Sequence, residues 1–269
     1  MDSAAQLQCL SDAIALQPDV LTVIPIAADA VDELLKQAKD MGTKVVTHEG
    51  SSLQNIDYNV DAFDNTKFGE AFADKAAELA GKDASYAIMV GRLTVPSHMA
   101  WAKAFYEHAT EKYPDMKTVN DVSNNAIVPV EGMDNSDTSY SVTKQLLQAN
   151  PDLDVLFVTS GSSVGGAARA VDELGLTGKI NLLAVGTASG QKSYYKSGTI
   201  TYGAFWYPGY AQYACYEVGK RLLEGKEIKT GDDLGVTGFE NITVDGKNIY
   251  GNFWYDITQE NVDEMAELL

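Results

Sequence analysis

The chain has 269 residues, which is enough for one large domain or for two lobes. Its 38 acidic and 20 basic side chains leave a formal net charge of −18, which disfavours nucleic acid and anionic membrane surfaces as partners because both are negatively charged. No stretch approaches the roughly 18 apolar residues of a membrane-spanning helix, and the composition is that of a globular protein.

Short β-branched runs alternate with segments of helical periodicity along the chain. We predict strands at 20–26, 44–48, 85–91, 117–122, 155–159, 180–185 and 200–206. Apolar residues recur at helical spacing after several of these runs, as at Val31, Leu34, Leu35 and Ala38, and again within 164–171 and 211–222. Strands that lack polar alternation and are separated by helices are typical of parallel sheets covered on both faces. The sequence therefore predicts a doubly wound α/β fold.

The segment NIDYNVDAFDN, at 55–65, is extended and rich in Asp and Asn, and we predict that it is a crossing between two lobes. In open α/β sheets, ligands bind beyond the carboxyl ends of the strands. The residues that follow the predicted strands are therefore candidates for ligand contact. They include His48, Glu49, Ser97, His98, the run 160–163, Thr187, Ala188 and the run 206–208.

The run GSSVG at 161–165 fits the G-x-S-x-G pattern of a hydrolase nucleophile elbow. A hydrolase that uses Ser163 is one hypothesis, but in that fold the base histidine follows the serine, and here all three histidines precede it. Small residues at such a turn also allow a close approach of the backbone. A dinucleotide site or P-loop is not predicted, since neither glycine pattern occurs.

Metal binding is not predicted either, because His98 and His108 are ten residues apart, and no cofactor is expected. His108 lies on the stripe Trp101, Ala104, Phe105, His108, which predicts a packed core histidine. Cys9 and Cys215 both lie on apolar helical faces and are expected to be buried.

Several polar and aromatic residues could have either a functional or a structural role. Glu49 and Asp134 could act as acid and base, or could accept hydrogen bonds from sugar hydroxyls. In the run GMDNSD, at 132–137, Asp134, Ser136 or Asp137 could instead cap a helix. Trp206 could stack on a sugar ring or simply pack.

Four spaced blocks of the sequence carry a family resemblance: VVTHEG, GRLTVPSHMAWAKAF, NPDLDVLFVTSGSSVGGAARAVDELGLTGK, and VGTASGQKSYYKSGTITYGAFWYPGYAQYACYEVGKRLLEGK. Together they resemble the periplasmic-binding-protein type I family, and most closely the branch of autoinducer-2 and rhamnose receptors. The resemblance implies an α/β fold of two doubly wound parallel-sheet lobes, joined by three crossing segments, that close on a ligand in the cleft between them. The expected N-terminal lobe is 1–62 with 208–249, and the C-terminal lobe is 63–207 with 250–269.

The resemblance also implies a set of ligand-binding positions. Most of them do not keep the residue that the family has there, which favours a small neutral sugar-like ligand other than autoinducer-2 itself. The expected ligand-binding residues are His48, Glu49, Ser97, His98, Met99, Asp134, Asn135, Ser160, Ser162, Ala188 and Trp206.

A second departure concerns the N-terminus. Members of the family begin with a strand, a helix and a second strand, and residue 1 of this chain corresponds to the start of the second helix. We therefore expect an incomplete N-terminal lobe, with an unpaired strand edge, in a truncated chain.

The resemblance implies a non-catalytic solute receptor of a sugar-type ABC importer. Such a protein is expected to be an extracytoplasmic monomer, periplasmic or lipid-anchored at the cell surface, that delivers its ligand to a membrane permease. The alternative is the effector-binding core of a LacI-type transcriptional regulator, which shares the fold. Strong acidity and the lack of a basic arm favour the receptor.

Overall fold

A computed structural model describes residues 2–268 of the chain. In chain order, the first elements are α1 (Ser3–Ala15), β1 (Val20–Val23), α2 (Ala28–Asp40), β2 (Lys44–Thr47), β3 (Tyr58–Asp61), α3 (Asn65–Ala80), β4 (Ser85–Val90), α4 (Pro96–Lys112), β5 (Lys117–Thr118), β6 (Asp121–Ser123), β7 (Ala126–Val128) and β8 (Val130–Glu131). They are followed by α5 (Ser136–Ala149), β9 (Val155–Val158), α6 (Gly161–Glu173), β10 (Asn181–Val185), α7 (Ala188–Lys196), β11 (Ile200–Phe205), α8 (Pro208–Leu223), β12 (Thr243–Asp245), β13 (Asn248–Tyr250), β14 (Tyr255–Ile257) and α9 (Val262–Leu268).

The chain divides into two compact units. Unit 1 consists of Met1–Asp64, Thr94–Ser97 and Tyr207–Phe253, and unit 2 consists of Asn65–Leu93, His98–Trp206 and Trp254–Leu269. The backbone passes from one unit to the other after Asp64, Trp206 and Phe253, and the short segment Thr94–Ser97 belongs to unit 1 although both of its flanks belong to unit 2. The sequence placed the lobe boundaries after residues 62, 207 and 249.

Unit 1 is built on a five-stranded sheet with the order β1-β2-β3-β13-β12. Its first four strands are parallel, and only β12 runs antiparallel to its neighbour. Helices α1 and α2 enclose an apolar core that includes Leu10, Val31, Leu35 and Val45. Helix α8 packs on β1, β2 and β3, and Gly219 makes this possible because a Cβ there would lie 2.5 Å from a methyl group of Val20.

Unit 2 is built on a seven-stranded sheet with the order β14-β11-β10-β9-β4-β5, in which β8 also pairs with β4. All its pairings are parallel except that of β11 with β14. Every residue of β9 is buried, which fits a central strand covered on both faces. One core cluster joins β9 and β10 to α6, α7 and α9. Strands β6 and β7 form a separate antiparallel hairpin.

The prediction of doubly wound α/β architecture is confirmed. Six of the seven predicted runs contain a strand of the large sheets that begins within one residue of the predicted start, and the seventh, 117–122, is split between β5 and β6. The predicted crossing at 55–65 is wrong in part, because Tyr58–Asp61 forms the buried central strand β3 and the chain leaves unit 1 only after Asp64.

Two predictions about single side chains are also corrected. Cys215 is buried as expected, but Cys9 is exposed. His108 is not a packed core residue: it is only partly buried, and its Nε2 lies 2.7 Å from a carboxylate oxygen of Asp74 on α3. The stripe around it does pack, since Trp101, Ala104 and Phe105 are all buried.

Across residues 2–268, none of the helices combines the length and the apolar character that crossing a membrane requires.

Candidate functional site

In unit 1, a polar cluster lies where β2 and β3 end. His48 and Glu49 follow β2 directly, and Glu49 adopts a left-handed backbone conformation with φ of 57°. Its backbone N–H donates to Asp61 Oδ1 at 2.8 Å, so the turn is anchored to the end of β3. The His48 ring is buried, and its Nδ1 lies 2.8 Å from the carbonyl oxygen of Val60.

Beneath these residues, Asn59 connects the neighbouring strands through its side chain. Its Oδ1 accepts hydrogen bonds from Thr47 Oγ1 at 3.0 Å and from the backbone N–H of Gly50 at 2.8 Å. Its Nδ2 donates to Asp61 Oδ2 at 2.9 Å. Asn59 and Asp61 are buried, and these bonds offset the cost of removing their polar groups from water.

Ser97 joins the same cluster from the segment Thr94–Ser97. It is fully buried, and its Oγ donates a hydrogen bond of 2.7 Å to Glu49 Oε2. The structure therefore brings together three of the predicted ligand-binding residues of unit 1, namely His48, Glu49 and Ser97.

In unit 2, a second polar cluster lies beyond the carboxyl ends of β4, β8 and β9. Asp134 Oδ1 accepts a hydrogen bond of 2.7 Å from Ser160 Oγ, and Asp134 Oδ2 lies 3.2 Å from Arg92 Nε. Only 3% of the Asp134 side chain is exposed. Gly91 permits this approach, because a Cβ at that position would lie 2.0 Å from Asp134 Oδ1.

His98 lies in the first turns of α4 and contacts the loop that follows β4. Its Nδ1 accepts a hydrogen bond of 3.3 Å from the backbone N–H of Gly91, which places the proton of a neutral ring on Nε2. The next residue, Met99, is partly buried on the same helix. His98 therefore lies near Asp134 and Ser160 through their common neighbour Gly91.

An aromatic cluster in unit 2 contains all three tryptophans of the chain. Trp206, directly after β11, stacks on Phe205 at 4.8 Å between ring centroids and lies 5.8 Å from Trp101. Phe68 of α3 contacts Trp101 at 5.2 Å and Trp254 at 5.3 Å. Trp206 is 5% exposed, so it packs within this cluster. A role for Trp206 in stacking on a sugar stays a prediction.

The remaining predicted residues lie at the starts of helices. Ser162 is exposed in the first turn of α6, and Ala188 is fully buried as the first residue of α7. Asn135 caps α5, because its side chain accepts hydrogen bonds from the backbone N–H groups of Asp137 and Thr138. The prediction that this run caps a helix is therefore confirmed, but the capping residue is Asn135 and not Asp134, Ser136 or Asp137.

Ser163 lies in the first turn of α6, and none of its surface is exposed. A Cβ added to Gly132 would meet its Oγ at 2.5 Å, so the hydroxyl faces a closely approaching backbone. A buried hydroxyl in this position cannot reach a substrate carbonyl, which removes the support for a hydrolase that uses Ser163.

Sequence reasoning missed Asn59, Asp61, Arg92 and Phe68. A signal for Arg92 was present, because it follows a buried strand in the same way as Glu49 does. The sequence carries no such signal for Asn59 and Asp61, because polar residues inside a strand have the sequence pattern that is typical of a loop.

The electrostatics of the two clusters differ. In unit 1, two carboxylates and one histidine come together, whereas in unit 2 a carboxylate is paired with a guanidinium. Both clusters offer carboxylate oxygens as hydrogen-bond acceptors, and in each of them a serine hydroxyl donates to the carboxylate, Ser97 to Glu49 and Ser160 to Asp134. Within residues 2–268, no group of three or more His, Cys, Asp or Glu side chains has an arrangement that could hold a metal ion.

The comparisons with known proteins fit this architecture of two α/β units. The model of the periplasmic binding protein domain family matches residues 1–227 of the chain. The chain belongs to this family.

Two curated relatives illustrate the sequence similarity. The chain is 26% identical over 175 residues to the ribose import binding protein RbsB of Bacillus subtilis (strain 168), an alignment that covers 65% of this chain and 53% of the relative. It is 26% identical over 167 residues to the D-xylose-binding periplasmic protein of Escherichia coli (strain K12), with 60% and 48% covered. The chain thus spans about half the length of the curated relatives it matches.

Solved structures share the fold. An ABC transporter solute-binding protein from Clostridium phytofermentas with bound L-rhamnose aligns with a TM-score of 0.83 at 18% identity, covering 99% of this chain and 86% of that one. LsrB from Clostridium saccharobutylicum in complex with AI-2 aligns with a TM-score of 0.81 at 18% identity, covering 98% and 86%. The type I periplasmic-binding-protein fold is confirmed.

Proposed function

We propose that this chain is the solute-binding component of an ABC importer for a sugar. The observation that carries the proposal is membership of the periplasmic binding protein domain family over residues 1–227. The curated relatives named above are a ribose import binding protein and a D-xylose-binding protein. Their shared chemistry is the recognition of a small neutral molecule with several hydroxyl groups.

The side chains of both clusters suit such a ligand. Glu49 and Asp134 are acceptors for hydroxyl protons, and Arg92 is a donor for hydroxyl oxygens. The aromatic cluster of unit 2 supplies apolar faces of the kind that pack against the C–H faces of a sugar ring. We propose Glu49, His48, Ser97, His98, Asp134, Ser160 and Trp206 as the principal ligand-binding residues, with Arg92 added to the set.

The role also implies a place and a partner. A solute-binding component works outside the cytoplasm and passes its ligand to a permease in the membrane. The net charge of −18 supports a neutral ligand over an anionic one, because like charges repel even where salt reduces the effect.

Thermal unfolding with a ligand panel tests the proposal. The panel contains D-ribose, D-xylose, L-rhamnose, D-fucose and AI-2, and a set of amino acids serves as the control. A ligand that binds only the folded state and is present at one hundred times its Kd adds about 2.7 kcal/mol to the free energy of unfolding. This should raise the unfolding midpoint by several degrees.

Intrinsic fluorescence gives a second readout, because the three tryptophans all lie in unit 2 and contact one another or Phe68. We expect one sugar or a related group to raise the midpoint and to change the emission, with no response to amino acids. A midpoint raised by an amino acid and by no sugar would overturn the sugar assignment.

A further inference from the structure

The imidazole ring of His48 has acceptor groups on both sides. Nδ1 lies 2.8 Å from the carbonyl oxygen of Val60 and 3.5 Å from Asp61 Oδ1, and Nε2 lies 3.6 Å from Glu49 Oε1. A carbonyl oxygen can only accept, so Nδ1 must carry a proton. An ionised carboxylate also only accepts, so a bare lone pair on Nε2 would face a negative charge. Nδ1 is therefore a donor, and a proton on Nε2 would face the Glu49 carboxylate at ion-pair distance.

Two carboxylates face His48 from different elements. Glu49 belongs to the turn after β2, and Asp61 ends β3. Burial by itself lowers the pKa of His48, but the hydrogen bond to Asp61, the charges of Glu49 and Asp61 and the Val60 carbonyl together outweigh it, so the pKa lies above its ordinary value.

Two further titratable groups adjoin Asp61 from the elements packed on this region. Burial, and then the charge of Asp61, raise the pKa of the Cys215 thiol on α8, which is therefore neutral. Burial, followed by the charges of Asp61 and Asp64, raises the pKa of Tyr250 on β13 to about 12, so its hydroxyl is neutral as well. Because both groups are neutral, neither adds a negative charge to those of Glu49 and Asp61.

The carboxylate of Glu49 is held from two directions. Ser97 Oγ donates to Oε2 at 2.7 Å, while Oε1 faces His48 Nε2. We propose that His48 is a positioning residue, whose doubly protonated ring holds the Glu49 carboxylate in place for sugar binding and makes that binding weaker as the pH rises. The sugar-binding half of this inference rests on the proposed function; the protonation half does not.

The direction of the pH effect follows from the raised pKa. Below the ordinary histidine pKa of about 6.5 the ring is charged in both the folded and the unfolded chain, and the ion pair stabilises the folded state fully. As the pH rises through the higher pKa of the folded state, the ring loses its Nε2 proton and Glu49 loses this partner. The affinity for sugar is therefore highest where the His48 ring is charged, and it falls as the pH rises through the His48 pKa, which lies above the ordinary value.

The first experiment needs no ligand. Nitrogen-15 NMR of histidine-labelled protein between pH 5 and 10 reports the protonation of each ring nitrogen. We expect the His48 ring to lose its Nε2 proton at a pH above the ordinary histidine pKa, and Glu49→Gln to lower this titration midpoint because one negative charge is removed. Glu33→Gln, at an exposed position on α2, should leave the midpoint unchanged. A titration midpoint at or below the ordinary histidine pKa, or one that Glu49→Gln does not move, would overturn the inference.

The second experiment measures sugar affinity by isothermal titration calorimetry at pH 6, 7, 8 and 9, with D-ribose, D-xylose and L-rhamnose as probes. We expect the Kd to rise at least ten-fold across this range, and His48→Gln to bind weakly and equally at each pH. A wild-type affinity that stays constant over the range would overturn the pH coupling. Absence of binding by every probe at every pH would count against the proposed function, while the NMR result would still decide the protonation of His48.

Discussion

Glu49 is the side chain on which most of the proposed binding chemistry of unit 1 depends. Its charge is held beside the buried side chains of Ser97 and His48. Replacing the carboxylate by an amide removes a charged hydrogen-bond acceptor, and the loss of such a bond costs about 1.5–3 kcal/mol. We therefore expect Glu49→Gln to weaken binding of the sugar that raises the unfolding midpoint by about ten-fold or more, measured by calorimetry at pH 7. Glu33→Gln is the matched control, and equal affinity of the two variants would remove Glu49 from the binding site.

Tyr195 on α7 presents a different problem, that of a buried hydroxyl. The residue is fully buried, and among residues 2–268 no group hydrogen-bonds its Oη. A buried polar group without a partner costs about 1–3 kcal/mol. Tyr195→Phe should therefore raise the free energy of unfolding in denaturant titrations by about 1 kcal/mol. A loss of stability would show that the hydroxyl is satisfied.

Gly203 on β11 explains how that hydroxyl is accommodated. A Cβ at this position would lie 1.8 Å from Tyr195 Oη and 2.8 Å from the carbonyl oxygen of Ala184. We expect Gly203→Ala to destabilise unit 2 by about 1–3 kcal/mol, and Tyr195→Phe to recover part of that loss in the double variant. Strictly additive effects in the same denaturant titrations would mean that the two positions do not interact.

At the scale of a secondary-structure element, Asn135 can be tested for two roles in one experiment. Its side chain caps α5, and removal of such a cap costs about 1 kcal/mol. Asn135→Ala should lower the unfolding midpoint, whereas Asn135→Asp, which retains a capping oxygen, should not. If Asn135 only caps the helix, the Kd for sugar will be unchanged in both variants. A weaker affinity in Asn135→Asp, with an unchanged midpoint, would instead support its predicted role as a ligand contact.

The strands show which elements can be predicted from sequence and which cannot. Runs such as VLFV in β9 are apolar throughout because both faces of a central parallel strand are covered, and this pattern is visible in the residues themselves. Strand β3, YNVD, is buried at three of its four residues, and two of these are the polar residues Asn59 and Asp61. Its burial depends on hydrogen bonds to Thr47, Gly50 and Glu49, which are distant in sequence, so no local pattern predicts it.

The same limit applies to the candidate site. His48, Glu49 and Ser160 could be predicted as site residues because each lies at the end of a β-branched run or directly after it, where ligands bind in open α/β sheets. Phe68 could not be predicted from the sequence, because its place in the cluster with Trp101 and Trp254 is fixed by how three separate segments pack. The burial of Trp206 within that cluster could not be predicted for the same reason.

At the scale of the whole molecule, charge is the dominant feature. The formal net charge of −18 destabilises any compact state through repulsion among like charges. Salt acts in two opposite directions, because it weakens both this repulsion and the surface ion pairs, such as Lys36 with Asp40 and Lys103 with Glu107. Exposed ion pairs contribute only about 0–1 kcal/mol each, and many contribute nothing measurable. The unpaired excess of negative charge therefore determines the sign of the salt effect.

We accordingly expect the unfolding midpoint to rise by several degrees between 10 and 200 mM NaCl, with most of the increase at the low end. The Debye length falls from about 30 Å at 0.01 M to about 8 Å at 0.15 M, so repulsion across most of the molecule is already screened at the higher concentration. KCl at equal ionic strength is the control for specific ion effects and should give the same increase. A midpoint that falls with both salts would mean that attractive pairs outweigh the excess charge, and that the folded chain distributes its acidic residues so that each lies close to a cation.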